Sequence, residues 1–274
     1  MDRRQIYVRH RDKRSRRKRT LGVDRVIDTN PASMSGVSRD ATSGKYVPAS
    51  ADEWTQTRAA AGILSGNPSS LWLCQTNGSV DDAIGAVTLS ESGVVSYQQS
   101  VTGWSRKAIR IADNQPSTGW STTSYGTLST TSGMLLAYVA IDGTPAAERE
   151  VMGIGASTGH RYVALTATPR YKASALGGAT QDGSSDPGSG VRPVVLMVNR
   201  ASSTYKVYTD QEAFGPAWAN PAAAGSLLQI GDAIPAGTAP ASYLYLAFFS
   251  GAAAEYTDAQ VRTLLTTLGW TVAW

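Results

Sequence analysis

Ten short runs between residues 71 and 249 constrain the fold of this chain more than any other feature. LWLCQ, GAVTL, VVSYQQ, KAIRIA, MLLAYVAI, RYVALTA, RPVVLMVN, TYKVYTD, SLLQIG and YLYLAFF are enriched in β-branched and aromatic residues, and Gly, Asn, Asp, Pro or Ser separate them. Such side chains fit a pleated, half-buried surface, and the turn formers end each run early. This many short strands at this spacing predict a sandwich or a barrel. The runs VVLMV and YLYLAFF are almost unbroken in apolarity, which predicts central strands covered on both faces. Residues 177–190, GGATQDGSSDPGSG, read as a long exposed loop with no strand in it.

Two helices bracket the strands. Ser50-Ala51-Asp52-Glu53 has capping-box spacing and predicts a helix over residues 51–61, stopped by Gly62. Thr257-Asp258-Ala259-Gln260 repeats that spacing, and Val261, Leu264, Leu265 and Leu268 follow at i, i+3, i+4 and i+7. That pattern predicts a closing amphipathic helix with Gly269 as its stop, after which TVAW brings a final aromatic back onto the body.

The charge is divided unevenly. Residues 1–20 hold ten Lys or Arg (Arg3, Arg4, Arg9, Arg11, Lys13, Arg14, Arg16, Arg17, Lys18 and Arg19) against two Asp, a net +8. Residues 21–274 hold fifteen basic and nineteen acidic residues, a net −4. A block of like charge without periodic apolar residues does not fold alone in water. Residues 1–45 are therefore expected to be a basic arm and a Ser-, Thr- and Gly-rich tether, and residues 46–274 the folded domain. No run approaches the roughly 18 apolar residues of a membrane span, and Asp24 and Arg25 interrupt any signal-peptide core. One cysteine, Cys74, excludes an intramolecular disulfide framework.

LWLCQTNGSVDDAIG joins a strand to an Asp-x-x-Gly turn at Asp82. RPVVLMVNRASSTYKVYTDQEA gives two strands around a polar turn, ending in Val207-Tyr208-Thr209-Asp210, with Gln211 where a Gly would be expected. SLLQIG and LYLAFFSGAAAEYTDAQVRTLL complete the series. In this order the segments resemble the laminin G-like domains, concanavalin A-like jelly rolls of two stacked antiparallel sheets. The resemblance covers about residues 71–270 and implies an all-β jelly-roll sandwich. YVPASADEW (residues 46–54) and YQQSVTGWSRKA (residues 97–108) further resemble segments of uncharacterised proteins from tailed phages and bacteria.

Glycoside hydrolases that share this jelly roll place alternate carboxylates of one strand in a cleft. Glu148-Arg149-Glu150 supplies two and lacks a third, so it reads as an exposed charge cluster at a strand edge, and no catalytic residue is assigned. A Ser/His/Asp triad would rest on His160 alone, which reads as a turn histidine, since His10 lies in the arm. Cys74 reads as a small buried hydrophobe. The resemblance implies a calcium ion at the sheet rim in some members, with Asp81, Asp82, Asp182 and Asp186 as candidate donors, although Asp commonly serves only to make turns. No other cofactor is expected. Trp104, Trp120 and Trp218 stand in polar, turn-like contexts (TGWSRK, STGWSTT, GPAWANP) and are candidate glycan platforms, whereas Trp72 and Trp270 read as core.

These readings converge on a non-enzymatic structural protein of a phage virion, assembled in the host cytoplasm. Its arm binds other virion proteins in a multicopy or homo-oligomeric assembly, with nucleic acid a weaker alternative. Twenty residues at ~3.3 Å each reach about 66 Å, enough to cross a neighbouring subunit. The alternative is a carbohydrate-binding module that attaches to cell-surface glycans.

Overall fold

The computed structural model describes residue 34 and residues 37–63, 66–75, 80–85, 87–112, 118–125, 131–155, 160–176, 178–200, 202, 204–216, 227–231 and 237–274. Among them a helix α1 (Ala51–Ala60) precedes fifteen strands: β1 (Ser70–Trp72), β2 (Ser90–Ser92), β3 (Val95–Ser100), β4 (Lys107–Ile111), β5 (Gly119–Thr122), β6 (Gly133–Ile141), β7 (Arg149–Ile154), β8 (Arg161–Leu165), β9 (Tyr171–Ala175), β10 (Gln181–Asp182), β11 (Val191–Asn199), β12 (Thr204–Tyr208), β13 (Ala213–Phe214), β14 (Leu228–Ile230) and β15 (Ala241–Ser250). A helix α2 (Asp258–Thr267) follows. The strands form two antiparallel sheets. An eight-stranded sheet runs β13-β12-β11-β6-β15-β4-β3 with β1 against β15, and a seven-stranded sheet runs β10-β9-β8-β7-β14-β5-β2. This is the expected jelly-roll sandwich. No helix among the described residues is long and apolar enough to cross a membrane.

The unbroken apolarity of β6, β11 and β15 has a direct cause. Side chains alternate across a strand, and on these strands both faces meet apolar layers. Leu135, Ala137, Val139, Val194, Leu196, Leu246 and Phe248 fill the space between the sheets. Met134, Leu136, Tyr138, Val195, Met197, Tyr245 and Phe249 face the other way, into a second core that Trp54 and Ile63 share with Val261, Leu264, Leu265 and Leu268 of α2. Both helices thus lie over the outer face of the larger sheet. The outer face of the smaller sheet carries Glu150, Tyr162, Lys172, Ser174 and Gln229 instead.

Both helix stops form as expected, at Gly62 (φ +67°) and Gly269 (φ +90°). In each, the glycine N–H and that of the next residue turn back to the last carbonyls of the helix, Gly62 to Ala59 and Ile63 to Arg58, Gly269 to Thr266 and Trp270 to Leu265. The Thr257 capping box is complete, and Trp274 folds back with its indole N–H on the Thr209 carbonyl. At Ser50 only half a box forms, because the Glu53 carboxylate reaches past Ser50 to the N–H groups of Ala49 and Ser38.

Three expectations change. The tether does not run to residue 45, because Val37, Asp40 and Tyr46 are buried and Tyr46 N–H donates to Leu268 at the end of α2. GAVTL contributes an isolated bridge from Leu89 to Val80, and the strand forms just after it as β2. The 177–190 loop contains the two-residue strand β10, held to β9 by pairs Gln181 with Ala173 and Asp182 with Lys172. The arm residues Arg3 to Arg19 lie outside the described residues.

Candidate functional site

Glu150 is not at an exposed edge. It sits on β7, between β8 and β14, and is fully buried. A register shift after Glu150 leaves it opposite Ala164 and Gly153 opposite Tyr162, on the outer face of the smaller sheet. His160, expected in a turn, immediately precedes β8 and is also fully buried. Its Nε2 lies 3.1 Å from each Glu150 carboxylate oxygen and its Nδ1 2.8 Å from the Gly155 carbonyl. With Glu150 ionised both partners are acceptors, an arrangement that favours the doubly protonated ring. Burial alone would lower its pKa, but the Glu150 charge and hydrogen bond, aided by Gly155, raise it above the ordinary value.

Two neighbours fix this pair. The Tyr162 ring stacks on the imidazole at 5.0 Å and 17°, and Gly153 passes so close that a Cβ there would run into the His160 ring and the Glu150 carboxylate. With both ring nitrogens committed, His160 has none left to activate a nucleophile. Glu148, one residue before β7, is partly exposed and takes Lys172 Nζ at 2.7 Å and the Ser174 hydroxyl at 3.1 Å. The two carboxylates therefore face two different cations. Burial, helped by the nearby Glu148 and Glu150 charges, pushes the Tyr162 phenol up to about 12.

The tryptophans separate. Trp120 belongs to β5 and is fully buried between the sheets, edge-on to Tyr97 and Tyr243, so it is no platform. Its polar neighbours Ser121 and Thr122 had suggested a turn. Trp104 lies in the β3–β4 turn and is half-buried, one face stacked on Trp270 at 6.1 Å and its edge near Tyr138. Trp72 and Trp270 are core residues. Trp218 lies outside the described residues. Cys74 is buried, which pushes its thiol up and makes it unreactive.

The candidate calcium donors make local contacts. Asp82 Oδ1 accepts from the N–H groups of Leu71 and Ile84, Asp81 from the Thr88 hydroxyl, and Asp186 from the Gly188 N–H. Asp182 lies exposed on β10. Among the described residues no group of three or more His, Cys, Asp or Glu could hold a metal.

Asp186 does line an open cavity of 280 Å³ at one end of the sandwich. Three connections converge there: Asp142, Gly143 and Thr144 after Ile141 ends β6, Pro169 between β8 and β9, and residues 186–189 between β10 and β11. Asp142 is held in place before any ligand arrives. Arg110 grips both its oxygens, at 2.8 and 3.0 Å, and the Ser242 hydroxyl donates to it at 2.5 Å. The β10–β11 loop is held from below, by Glu212 on Ser184 and Ser185 and by Arg192 on the Pro187 carbonyl. Asp142, Thr144 and Ser189 were not singled out in the sequence. The Asp142-Gly143 turn signal after a nine-residue apolar strand would have marked the place.

Comparison with protein-family models finds no match, nor does comparison with curated proteins. Solved structures do match. Trypanosoma rangeli sialidase in complex with sialic acid superposes with a TM-score of 0.57 at 14% identity, over 74% of this chain and 33% of the sialidase. A structure on the cell entry of botulinum neurotoxin type C, dependent upon interaction with two ganglioside molecules, superposes with a TM-score of 0.53 at 9% identity, over 73% of this chain and 50% of that one. The chain spans about a third to a half of these structures, and the likeness is one of fold.

Proposed function

We propose that this chain is a carbohydrate-binding module without catalytic activity that takes a glycan in the rim cavity. The cavity itself carries the reading. It sets an oriented carboxylate, hydroxyls of Thr144 and Ser189 and the backbone of two glycines beside the apolar ring of the half-buried Pro169. A sugar presents the matching surface, with hydroxyls around its rim and C–H groups on its faces. Because Arg110 and Ser242 already fix Asp142, binding does not have to order it. The solved structures of like fold that meet sialic acid or gangliosides support a carbohydrate partner. Absence of catalysis rests on Glu148 and Glu150, each engaged by its own cation, with neither placed as the protonated acid a glycosidase needs. The test is titration of a panel of defined oligosaccharides by calorimetry, followed by end-group analysis. We expect binding without cleavage, and loss of binding in Ser189→Trp, which fills the cavity from an exposed position. Binding unaffected by Ser189→Trp, or cleavage, would overturn the reading.

A second reading, a structural protein of a phage virion anchored by its arm, draws on the charge split between residues 1–20 and the rest. Arg pairs well with carboxylates, and such attachment weakens with salt. Replacing Arg14, Arg16, Arg17, Lys18 and Arg19 by Ala should release the protein from its assembly and leave the domain folded. Release by nuclease would assign the arm to nucleic acid.

A further inference from the structure

We infer that the rim cavity selects glycans by charge, admitting neutral and amino sugars and disfavouring those with a carboxylate. This rests on the proposed function and deepens it. Among the described residues the cavity lining holds two carboxylates, Asp142 and Asp186, and no cation. Their states differ. Asp142 is matched by the bidentate Arg110, so its charge is locally compensated. Asp186 is exposed, with Oδ1 on the Gly188 N–H and no hydrogen bond to Oδ2 among the described residues.

The cations beside the loop make no hydrogen bond to Asp186 among the described residues. Arg192 gives Nη1 to Asp210 at 2.7 Å and Nε to the Pro187 carbonyl at 3.0 Å, with Nη2 on the Gly188 side. Arg170 is exposed on the β8–β9 turn and is not part of the lining. An ammonium in the cavity would meet an open carboxylate oxygen, and an acidic sugar would bring like charge against it. Two unit charges about 4 Å apart in a water-like medium differ by enough to change affinity by roughly fivefold. The preference therefore runs against the acidic sugars met by the structures of like fold.

The experiment compares glucosamine oligomers with N-acetylglucosamine oligomers of equal length, and lactose with 3′-sialyllactose, at mildly acidic pH where the sugar amine is protonated. We expect a roughly fivefold preference for the amine and a similar penalty for the sialylated sugar at low salt. Both should fade toward 1 M salt, where the Debye length is about 3 Å. Asp186→Asn keeps an oxygen for the Gly188 N–H and removes the charge, so it should bring the amine-to-acetyl ratio toward one. The salt series on the unaltered chain tests the same point should that variant fold poorly. Binding without charge preference, or preference for the sialylated sugar, would overturn the inference and leave the proposed function standing. Failure of the whole panel to bind would overturn both.

Discussion

The Asp40 carboxylate accepts the Ser105 hydroxyl at 2.6 Å and so joins the chain ahead of α1 to the β3–β4 turn. The same carboxylate takes the N–H groups of Thr42 and Ser43 on one oxygen and those of Ser105 and Arg106 on the other. Burial alone would raise the Asp40 pKa, but the Ser105 and Ser43 donors outweigh it and hold the group well below the usual carboxylate range. The folded domain therefore begins before residue 46.

Asp40→Ala should cost about 2 kcal/mol, since several part-buried, charge-assisted hydrogen bonds lose their shared acceptor. Because the folded pKa is depressed, this contribution is present above the unfolded value of 3.8 and is lost only as pH falls through the lower folded value. A fragment of residues 46–274 should likewise be less stable than one of residues 34–274. Urea denaturation checks both; equal midpoints for the two fragments would restore the tether boundary at residue 45.

What the sequence showed follows from how locally each feature is specified. β6, β11 and β15 were legible because both of their faces meet apolar layers, and α2 because its cap and its apolar stripe agree. Trp120 reads as a turn residue because Gly119 and Ser121 beside it face outward and Thr122, on its own inward face, is polar. β9 was missed although Tyr171, Ala173 and Ala175 face inward and Lys172 and Ser174 outward, because Ala and Ser carry weak strand preference. Glu150 reads as exposed because charge usually is, and His160 as a turn residue because Ser, Thr and Gly precede it; their burial depends on each other across ten residues and on the space left by Gly153. The cavity was hidden because three separate connections build it.

The Glu150–His160 pair gives a second pH dependence of opposite sign. His160 has a folded pKa above the ordinary 6.5, so its contribution is complete below that value and is lost as pH rises through the raised one. Stability should therefore decline on the alkaline side, and Glu150→Gln should remove that decline along with part of the stability. Unfolding midpoints across the neutral to alkaline range would show it. A decline that persists in Glu150→Gln would point to another group.

Leu265 lies in the apolar stripe of α2 and is fully buried against the outer core of the larger sheet. Leu265→Ala should cost about 2 to 5 kcal/mol, the transfer term plus a cavity. Its neighbour Thr266 faces outward, so Thr266→Ala should change stability by less than about 0.5 kcal/mol. Similar losses at the two positions would mean the helix is rotated from this packing.

Glu212 separates affinity from stability. Its carboxylate accepts the Ser184 N–H at 2.7 Å, the Ser184 hydroxyl at 2.9 Å and the Ser185 N–H at 3.1 Å, all from the loop that carries Asp186 to Ser189 into the cavity. These bonds are near the surface, so Glu212→Ala should cost only about 1 kcal/mol of global stability. The loop would lose three of its anchors and a ligand would have to order it, so glycan affinity should fall by roughly tenfold. Hydrogen exchange over residues 184–190 should quicken while the β6 and β15 amides stay protected. Glu212→Gln keeps one acceptor oxygen and should recover part of both effects. Unchanged exchange in the loop would show that Arg192 and the Asp186 turn hold it without Glu212.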